Sequence, residues 1–299
     1  MVAEDKMPSV NRSFAVTQAL ATRLLRAKVG DKFEKLSELQ REFSVGAGTI
    51  QAAIKNIEMM DCVKIRRSGH QGSYIEALNP KQLWSLSGRA PLIGVFPSFA
   101  AQEMREARVL FREQMSRFGI PFFTSEQPGA MGRLDSVIQR QADFAILSNG
   151  VAEKIPAEIQ QDLCFFRFDA GTYYSPISIV ILYREGSDPY SSAETCRTGF
   201  DPSSSDHFSL SKAEFGNLKP PAAIECKYLE IPRLIFEGEV DRAVWRKIDT
   251  LIPLELIGIQ SAPLRSPEAN ALFRKFSQMV LVTRKEDSFI GTMALGDEG

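Results

Sequence analysis

Two short helical patterns separated by a turn constrain most strongly how this chain folds. The apolar residues of both patterns recur at spacings of three and four, so each set lies on one face of a helix. They are Leu36, Leu39 and Phe43 in the first pattern and Ile50, Ala53, Ile54 and Ile57 in the second. The turn Ser44-Val45-Gly46 separates the two patterns. The sequence therefore predicts two packed helices joined by a tight turn.

The residues after the second pattern predict two strands joined by a basic turn. Residues 63–65 and 73–77 have the alternating character of strands with one buried face, and residues 66–72 between them carry two arginines and two glycines. A further amphipathic helix over residues 14–27 is expected to cover the helix pair. Such an arrangement is a winged helix-turn-helix domain, whose second helix can lie in the major groove of DNA.

The distribution of charge separates this module from the rest of the chain, whose formal net charge is −1. Residues 12–75 hold 11 Lys and Arg against 6 Asp and Glu, whereas residues 79–299 hold 24 against 28. A basic head on an acidic body is typical of a nucleic-acid-binding module joined to another domain. The alternative is an ordinary small α+β cap whose charges are only solvated.

We predict that the outward face of the second helix and the wing contact double-stranded DNA. The residues expected to face bases are Thr49 and Gln51, and those expected to contact phosphates are Lys55, Arg66 and Arg67. The wing residues expected to reach the minor groove or the backbone are His70, Gln71 and Gly72. One head of this size makes too few contacts for useful affinity, so we expect a homodimer on an operator with two half-sites.

The module resembles the head of GntR-type bacterial transcription regulators. The resemblance is carried by Gly30-Asp31-Lys32, Glu38-Leu39, residues 45–58 and Gly72-Ser73-Tyr74. In that family two arginines at the start of the recognition helix read bases, and the matching positions here hold Ala47 and Gln51. Because a bidentate contact supplies ~1–3 kcal/mol of base discrimination, the departure implies a different operator, with Gln51 able to pair with adenine.

A second resemblance covers more of the chain. Residues 67–73, Leu83-Trp84 and residues 92–95 are similar to the YhfZ family, in which a GntR-like head precedes a domain resembling type 2 periplasmic binding proteins. Further matching islands are Gly129-Ala130 with Arg133, residues 201–204 and residues 238–245. Residues 96–99 depart from the proline-rich loop of that family, which leaves the ligand open.

Length and turn-forming residues predict two domains. A chain of 299 residues with 44% apolar content can bury two cores. Residues 79–90 contain proline, glycine and serine and separate the wing from the next apolar run, and Trp84 among them is expected to dock one domain on the other. The prediction is a winged helix-turn-helix domain over residues 1–78, a linker over 79–90 and a two-lobed effector-binding domain over 91–299.

Strand-like and helix-like segments alternate after residue 91. The predicted strands are residues 92–96, 120–124, 143–147, 177–183, 198–201, 227–230 and 241–245, and the predicted helices are residues 100–118, 134–141, 203–210 and 233–237. The opening order of strand, helix, strand, helix, strand implies a doubly wound sheet. Asp143 and Asp241 occupy equivalent places, because each opens an apolar strand after a helix. The predicted fold class is α/β, with a two-lobed (type 2 periplasmic-binding-protein-like) effector domain after the head.

Polar residues near the predicted strand ends mark a candidate ligand site. In open α/β sheets ligands bind beyond the carboxyl ends of strands, where helix N-termini offer unpaired amides. The candidates are Ser98, Thr124, Ser125, Gly129, Ala130, Arg133, Ser148 and Asn149 in the first lobe, and Asp201, Ser203, Ser204 and Asp241 in the second. We expect a small polar or anionic effector. Alternatively, Asp201 and the serines form a helix cap and Arg133 is a surface charge.

Other function classes have weaker support in the sequence. No apolar run approaches the ~18 residues of a membrane span, and the first 30 residues lack a signal-peptide pattern, so we expect a cytoplasmic protein. The cysteines Cys62, Cys164, Cys196 and Cys226 are far apart, which favours reduced thiols over a metal or disulfide site. With two histidines and no phosphate loop or nucleophile elbow, we predict neither an enzyme nor a cofactor. The alternative is a cytoplasmic small-molecule-binding protein or an enzyme on a binding-protein-like fold.

Overall fold

The computed structural model describes residues 9–192, 196–216, 218 and 220–296. These residues form two compact units. The first unit comprises residues 9–92, 112–122 and 287–296, and the second comprises residues 93–111, 123–192, 196–216, 218 and 220–286. The predicted domain boundaries at residues 78 and 90 stay a prediction, and the first eight residues of the predicted head lie outside the described residues.

The elements up to residue 92 are α1 (Ser9–Leu24), β1 (Lys32–Phe33), α2 (Leu36–Phe43), α3 (Ala47–Met59), β2 (Val63–Arg67), β3 (Ser73–Leu78) and α4 (Pro80–Ser87). Those of the middle of the chain are β4 (Leu92–Phe96), α5 (Gln102–Arg117), β5 (Phe122–Glu126), α6 (Ala130–Ile138), β6 (Phe144–Ser148), α7 (Asn149–Ala152), α8 (Ala157–Gln160), β7 (Leu163–Arg167) and β8 (Ile179–Arg184). The remaining ones are β9 (Thr198–Phe200), α9 (Ser205–Phe215), β10 (Ala223–Glu225), α10 (Ile231–Glu237), β11 (Arg242–Arg246), β12 (Ile259–Pro263), α11 (Pro267–Phe276), β13 (Met279–Arg284) and α12 (Phe289–Leu295).

The helix pair predicted from the sequence is α2 and α3. Ser44 ends α2 in the left-handed conformation, with φ 53°, and so redirects the chain into α3. The inward residues Ile50, Ala53 and Ile57 are buried, and α3 packs on α1. The wing is an antiparallel sheet in the order β1-β3-β2. Its third strand, β1, was not predicted because two residues are too few to show an alternating pattern.

The segment predicted as a linker forms the helix α4 and packs in the first unit. Asn79 caps α4, since its Oδ1 accepts a hydrogen bond from the Gln82 backbone N–H at 3.3 Å. Trp84 is 4% exposed, and its ring lies 6.2 Å from that of Phe289 in α12. Arg89 lies over both rings, at 5.2 and 5.3 Å. The C-terminal helix therefore completes the core around α4.

The first lobe of the second unit is built on a sheet with the order β5-β4-β6-β13-β7. Strands β4 and β6 are parallel, whereas β13 is antiparallel to both of its neighbours. The predicted strand 120–124 begins and ends two residues too early, because residues 119 and 120 terminate α5. Gly119 takes the left-handed conformation, with φ 63°, and the Ile120 N–H binds the Met115 carbonyl of α5.

The second lobe contains the sheet β10-β9-β11-β8-β12. Its first three strands, β10, β9 and β11, are parallel, and β8 is antiparallel to both of its neighbours, β11 and β12. The predicted strand 227–230 is wrong: Tyr228–Glu230 is a 3-10 turn, and the strand lies at Ala223–Glu225. The Asp201 carboxylate holds the Tyr228 N–H at 2.9 Å, which removes that donor from any strand ladder.

Each lobe has its own apolar core. In the first lobe Val95, Leu147 and Val280 meet the apolar face of α6, and in the second Val180, Ala243 and Trp245 meet that of α10. The predicted fold class is confirmed, with an N-terminal helix-turn-helix domain followed by a two-lobed α/β domain with mixed sheets. Among the described residues, no helix combines the length and the apolar character that crossing a bilayer requires.

Candidate functional site

The outward face of α3 is open to solvent. Gln51 and Lys55 are exposed and Thr49 is half-buried. The helix begins after Gly46, which offers no side-chain cap, and its first turn holds no acidic residue. The first backbone amides of α3 therefore have no capping side chain, and together with the helix dipole they favour an anion such as a phosphate.

The wing differs from its prediction in where the arginines lie. Arg66 and Arg67 belong to β2, opposite Tyr74 and Ser73, and the turn is reduced to Gly69–Gln71. The strand β2 is longer than predicted because the backbones of Arg66 and Arg67 pair with those of Tyr74 and Ser73 in β3. Arg67 is exposed, but its Nη2 lies 2.7 Å from Glu58 Oε2 on α3. The charge of Arg67 is thus partly compensated within the head.

The other wing residues surround the turn. His70 and Gln71 are exposed within the turn, and Gly72 follows with φ 98°. A Cβ atom at Gly72 would lie 2.9 Å from Cε of Lys32, so the Lys32 side chain runs beside the wing turn. Lys32 is exposed in β1 and is not among the contact residues predicted from the sequence. Its signal was present in the sequence, since Gly30-Asp31-Lys32 carries part of the GntR resemblance.

A cluster of buried polar side chains joins the two lobes of the second unit. We call it the interlobe cluster, and its members are Glu103, Tyr173, Tyr174, Asp206 and Arg246. Arg246 Nη2 donates to Glu103 Oε2 at 3.1 Å and to the Tyr173 carbonyl at 2.6 Å. The Arg246 guanidinium lies over the two tyrosine rings, at 5.1 and 4.9 Å. These contacts hold the guanidinium in one orientation.

The two carboxylates of the cluster differ in their environments. Burial alone would raise the pKa of Glu103, but a hydrogen bond from the Ser175 backbone N–H at 2.8 Å and the charge of Arg246 bring it below its ordinary value. Burial raises the pKa of Asp206, and the Ser148 and Tyr174 hydroxyls beside it only partly oppose this. The Tyr174 hydroxyl donates to Asp206 Oδ2 at 3.2 Å. Glu103 is therefore the better stabilised anion.

A cavity of about 320 Å³ opens beside the interlobe cluster. Its polar lining includes Gln102, Glu103, Ser175 and Lys247, and its apolar lining includes Ile177, Leu182, Trp245 and Leu254. The volume lies at the small end of the range for ligand sites, which is roughly 300–1,000 Å³. The Trp245 indole is stacked on Tyr228, with centroids 4.4 Å apart, and forms a rigid wall.

Two predicted ligand residues reach the interlobe cluster. Arg133 is buried rather than a surface charge, and its guanidinium donates to the carbonyls of Ile146 and Gln127 at 2.9 and 2.8 Å. Its Nη2 lies 3.4 Å from the Tyr173 hydroxyl. Ser148 caps α7, accepting from the Val151 N–H at 3.2 Å, and lies beside Asp206.

The predicted serine-rich site of the second lobe has internal partners. Asp201 Oδ1 accepts from the Ser203 N–H and hydroxyl, at 2.9 and 2.6 Å, and Oδ2 accepts from the Tyr228 N–H. Burial would raise the pKa of Asp201, but these hydrogen bonds outweigh it and lower the pKa. Ser204 is the N-cap residue of α9 without a side-chain cap bond. Asp201 therefore stabilises its own turn and is not the helix cap that was the alternative considered from the sequence.

Asp143 and Asp241 occupy equivalent places, as the sequence predicts, but each carboxylate holds a neighbouring backbone segment and is not available to a ligand in that role. Asp143 Oδ2 accepts from the Ile93 N–H at 2.8 Å, and Asp241 Oδ2 accepts from the Arg197 N–H at 2.8 Å. Each thus binds the backbone that enters the neighbouring strand. Asp241 precedes β11, whereas Arg246 ends it, roughly 16 Å away at the rise of a strand. We therefore leave Asp241 out of the candidate site.

The remaining predicted ligand residues make no hydrogen bond to the interlobe cluster among the contacts of the described residues. They are Ser98, Thr124, Ser125, Gly129, Ala130 and Asn149. Thr124 and Ser125 lie within β5 rather than after it, because that strand runs two residues further than predicted. Asn149 instead accepts from Arg167 Nε at 3.2 Å.

Sequence reasoning missed Glu103, Asp206 and Arg246. Arg246 directly follows the predicted strand 241–245, and Asp206 is the second residue of α9. Both therefore satisfy the rule that selected the other candidates, namely a position at a strand end or a helix start. Glu103 offers no such signal of its own, because its partner Arg246 is 143 residues away.

His207 is a buried neutral histidine whose tautomer follows from its partners. Its Nδ1 lies 3.1 Å from the Asp201 N–H and accepts from it, so Nε2 carries the proton and donates to the Val244 carbonyl at 2.8 Å. Burial lowers the pKa of His207 to about 4, although the bond to Val244 opposes the shift. The ring links the turn at Asp201 to β11.

We expect His207 to make the second unit less stable at acidic pH. The unfolded chain, with a histidine pKa of 6.5, takes up the proton before the folded chain, with a pKa of about 4. Stability should therefore fall by about 2 kcal/mol between pH 7 and pH 5. Urea unfolding at both pH values measures this, with His207→Gln as the control. The expectation fails if the wild type and His207→Gln lose the same stability over that interval.

Both parts of the chain are similar to known proteins. Residues 79–295 match the family described as the YhfZ C-terminal domain, and residues 28–75 match a helix-turn-helix domain. YhfZ of Escherichia coli (strain K12) is 26% identical over 279 residues, which cover 93% of this chain and 88% of that protein. The crystal structure of YhfZ from Shigella flexneri covers 73% of this chain and 88% of its own, with 21% identity and a TM-score of 0.51, a likeness of fold. The chain therefore belongs to the YhfZ family, with a helix-turn-helix domain preceding its YhfZ C-terminal domain.

Proposed function

We propose that this chain is a sequence-specific DNA-binding transcriptional regulator whose activity is set by a small polar ligand in the C-terminal domain. The observation that carries the DNA-binding half is the positive surface of α3 and the wing. Lys32, Lys55 and Arg66 are exposed, and none of them forms an ion pair with a carboxylate among the described residues. Exposed cations flanking an open helix face favour the phosphate backbone.

The ligand-binding half of the proposal rests on the interlobe cluster and the cavity beside it. A ligand bound there contacts residues of both lobes and so favours one arrangement of the lobes over another. It changes DNA binding only if its affinity differs between the two arrangements. We propose a homodimer, since two heads on half-sites about 34 to 36 Å apart, or a multiple of this spacing, give the affinity that one head lacks.

Salt dependence tests the DNA-binding half directly. Fluorescence anisotropy with a labelled duplex from the region upstream of the regulator's own gene should give a log-log slope near −0.9 for each phosphate neutralised. Lys55→Ala and Arg66→Ala should each weaken binding to all sequences and reduce that slope by about 1. Lys64→Ala is the matched control, because Lys64 is an exposed wing residue already paired with Glu76 at 3.2 Å. Absence of binding at low salt would contradict the proposal.

Glu58→Gln should have the opposite effect to the lysine and arginine variants. The change frees Arg67 from its ion pair at 2.7 Å and lets the guanidinium reach a phosphate. We expect tighter binding and a slope steeper by about one unit in the same titration. If Glu58→Gln and Arg67→Ala both leave binding unchanged, the wing strand β2 does not face DNA.

Gln51→Ala tests base recognition separately from affinity. A bidentate contact with adenine supplies about 1–3 kcal/mol of discrimination, so its loss should relax preference at one operator position. Selection from a randomised duplex library before and after the change measures this preference. An unaltered selected sequence would mean that another residue of α3 reads the operator.

A further inference from the structure

An exposed apolar surface lies around the cavity of the second unit. We call it the rim patch, and its members are Ile177, Leu251, Ile252 and Leu256. Leu251 is fully exposed, and the other three are 73%, 56% and 76% exposed in that order. Ile177 lines the cavity, and each of the other three is next in sequence to a residue that lines it. Exposed apolar side chains that are grouped, rather than scattered singly, mark interaction sites.

Hydrogen bonds hold the chain segment that carries most of the rim patch. The Asp249 N–H donates to the Ala100 carbonyl at 2.8 Å, and the Thr250 hydroxyl donates to the Ile252 carbonyl at 2.7 Å. The second bond closes a turn with Leu251 at its apex. Turns favour glycine, proline, asparagine, aspartate and serine, so a leucine at the apex is unusual. Because the segment is already ordered, a partner binds it without the entropy cost of ordering it.

The cavity lining also carries one cation and one anion that are not compensated within the chain. Its other acidic residues, Glu103 and Asp249, each pair with an arginine. Lys247 and Glu255 are exposed and form no ion pair among the described residues. A surface with one unpaired charge of each sign beside the same apolar patch is complementary to itself. Under a two-fold axis Lys247 of each copy meets Glu255 of the other, so the contact occurs twice.

We propose that the rim patch is the interface of a two-fold homodimer. Leu251 and Leu256 of each copy pack against the rim patch of the other, and contacts between Lys247 and Glu255 flank them. An apolar centre with a polar rim is the usual arrangement of protein interfaces. A partner of one charge sign satisfies only one of the two unpaired residues, whereas a second copy satisfies both. This inference rests on the proposed homodimer and specifies the surface that forms it.

Analytical ultracentrifugation of the full chain, without DNA, tests the apolar centre. Leu251→Asp places an unpaired carboxylate there twice in each dimer and should raise the dimer Kd at least 100-fold, about 2.8 kcal/mol. The variant should fold, because substitutions at fully exposed positions have small effects on stability. Val109→Asp is the matched control, since Val109 is an exposed apolar residue on α5, outside the rim patch, and it should leave the Kd unaltered.

Three outcomes of this experiment overturn the proposal. The first is a wild type that stays monomeric at its highest soluble concentration. The second is a dimer whose Kd is unchanged by Leu251→Asp. The third is a dimer that Val109→Asp disrupts as strongly, which would place the interface on α5 or show that any added charge acts in the same way. DNA binding in the salt titration judges the regulator separately, because a wrong interface leaves the head residues Lys55 and Arg66 unaffected.

Exchange of charges tests the two-fold geometry. Lys247→Glu and Glu255→Lys each bring like charges together twice, so each variant should weaken its own homodimer at least 10-fold. An equimolar mixture of the two variants should dimerise like the wild type, because both contacts of the mixed dimer again join a lysine to a glutamate. Recovery on mixing can come only from contact between copies, since damage within one chain would persist. Unchanged homodimers in both variants, or no recovery in the mixture, overturns the pairing.

Discussion

Replacing Arg246 by methionine is expected to lower the free energy of unfolding of the second unit by about 3–5 kcal/mol. The change leaves the Glu103 carboxylate, on a residue that is 7% exposed, with the Ser175 N–H but without a counter-charge. It also frees the Tyr173 carbonyl. Loss of one partner from a buried ion pair costs more than the pair contributes, because the remaining charge stays desolvated.

Urea unfolding measures this cost, and the chain offers a convenient probe. It contains two tryptophans, Trp84 in the first unit and Trp245 in the second. In a Trp84→Phe background the fluorescence change therefore reports the second unit alone. The matched control is Arg246→Met combined with Glu103→Gln, which removes both charges and should recover a large part of the loss. If the double variant is no more stable than Arg246→Met, the pair is not coupled as the structure indicates.

Trp84→Ala is expected to destabilise the first unit by a similar amount, about 3–5 kcal/mol. Trp84 is almost fully buried, packs against Phe289 and lies under the Arg89 guanidinium. Removing the indole leaves a cavity that the helices α4 and α12 cannot close without moving. Arg89 also pairs with Asp287 at 2.7 Å, so the loss of packing loosens an ion pair that is largely buried.

Hydrogen exchange measures this effect, because it follows the backbone amides of α1 and α4 rather than the protein as a whole. Trp84→Phe is the control, since a phenylalanine keeps an aromatic contact with Phe289 and should cost much less. Loss of protection in α4 without any change in α12 would show that the two helices are not one cooperative element. Equal protection in the alanine and phenylalanine variants would contradict the packing role given to the indole.

The helix pair and the strands β4 and β6 could be predicted from the sequence because their signals are local. Apolar residues at spacings of three and four define α2 and α3, and the apolar run at residues 92–96 gives the bounds of β4. The excess of basic residues in the head and the two-strand pattern of the wing can also be seen directly in the sequence. Such features need no knowledge of distant residues, and the matching helix-turn-helix domain, over residues 28–75, includes both predicted helices and the basic turn.

The parts that were missed depend on contacts between distant residues. Residues 227–230 have the sequence pattern of a strand. They do not form one, because the Asp201 carboxylate, 27 residues away, accepts a hydrogen bond from the Tyr228 N–H. Arg246 becomes a site residue only beside Glu103 and Tyr174, and β13 enters the first sheet between strands formed more than 100 residues earlier. Buried ion pairs and inserted strands leave no periodic pattern in the sequence. The site was therefore less predictable than the elements that support it.

The contact between Trp84 and Phe289 has a consequence for how the protein is made. A ribosome delivers residues 9–92 first, yet Phe289 follows only after all of residues 93–286 have been synthesised. Until then the indole of the nascent chain lacks its aromatic neighbour. Domains usually fold one after another from the N-terminus during synthesis. Here the N-terminal core is instead completed after the C-terminal lobes have emerged, so a chain truncated by stalled translation should carry an exposed tryptophan that quality control can recognise.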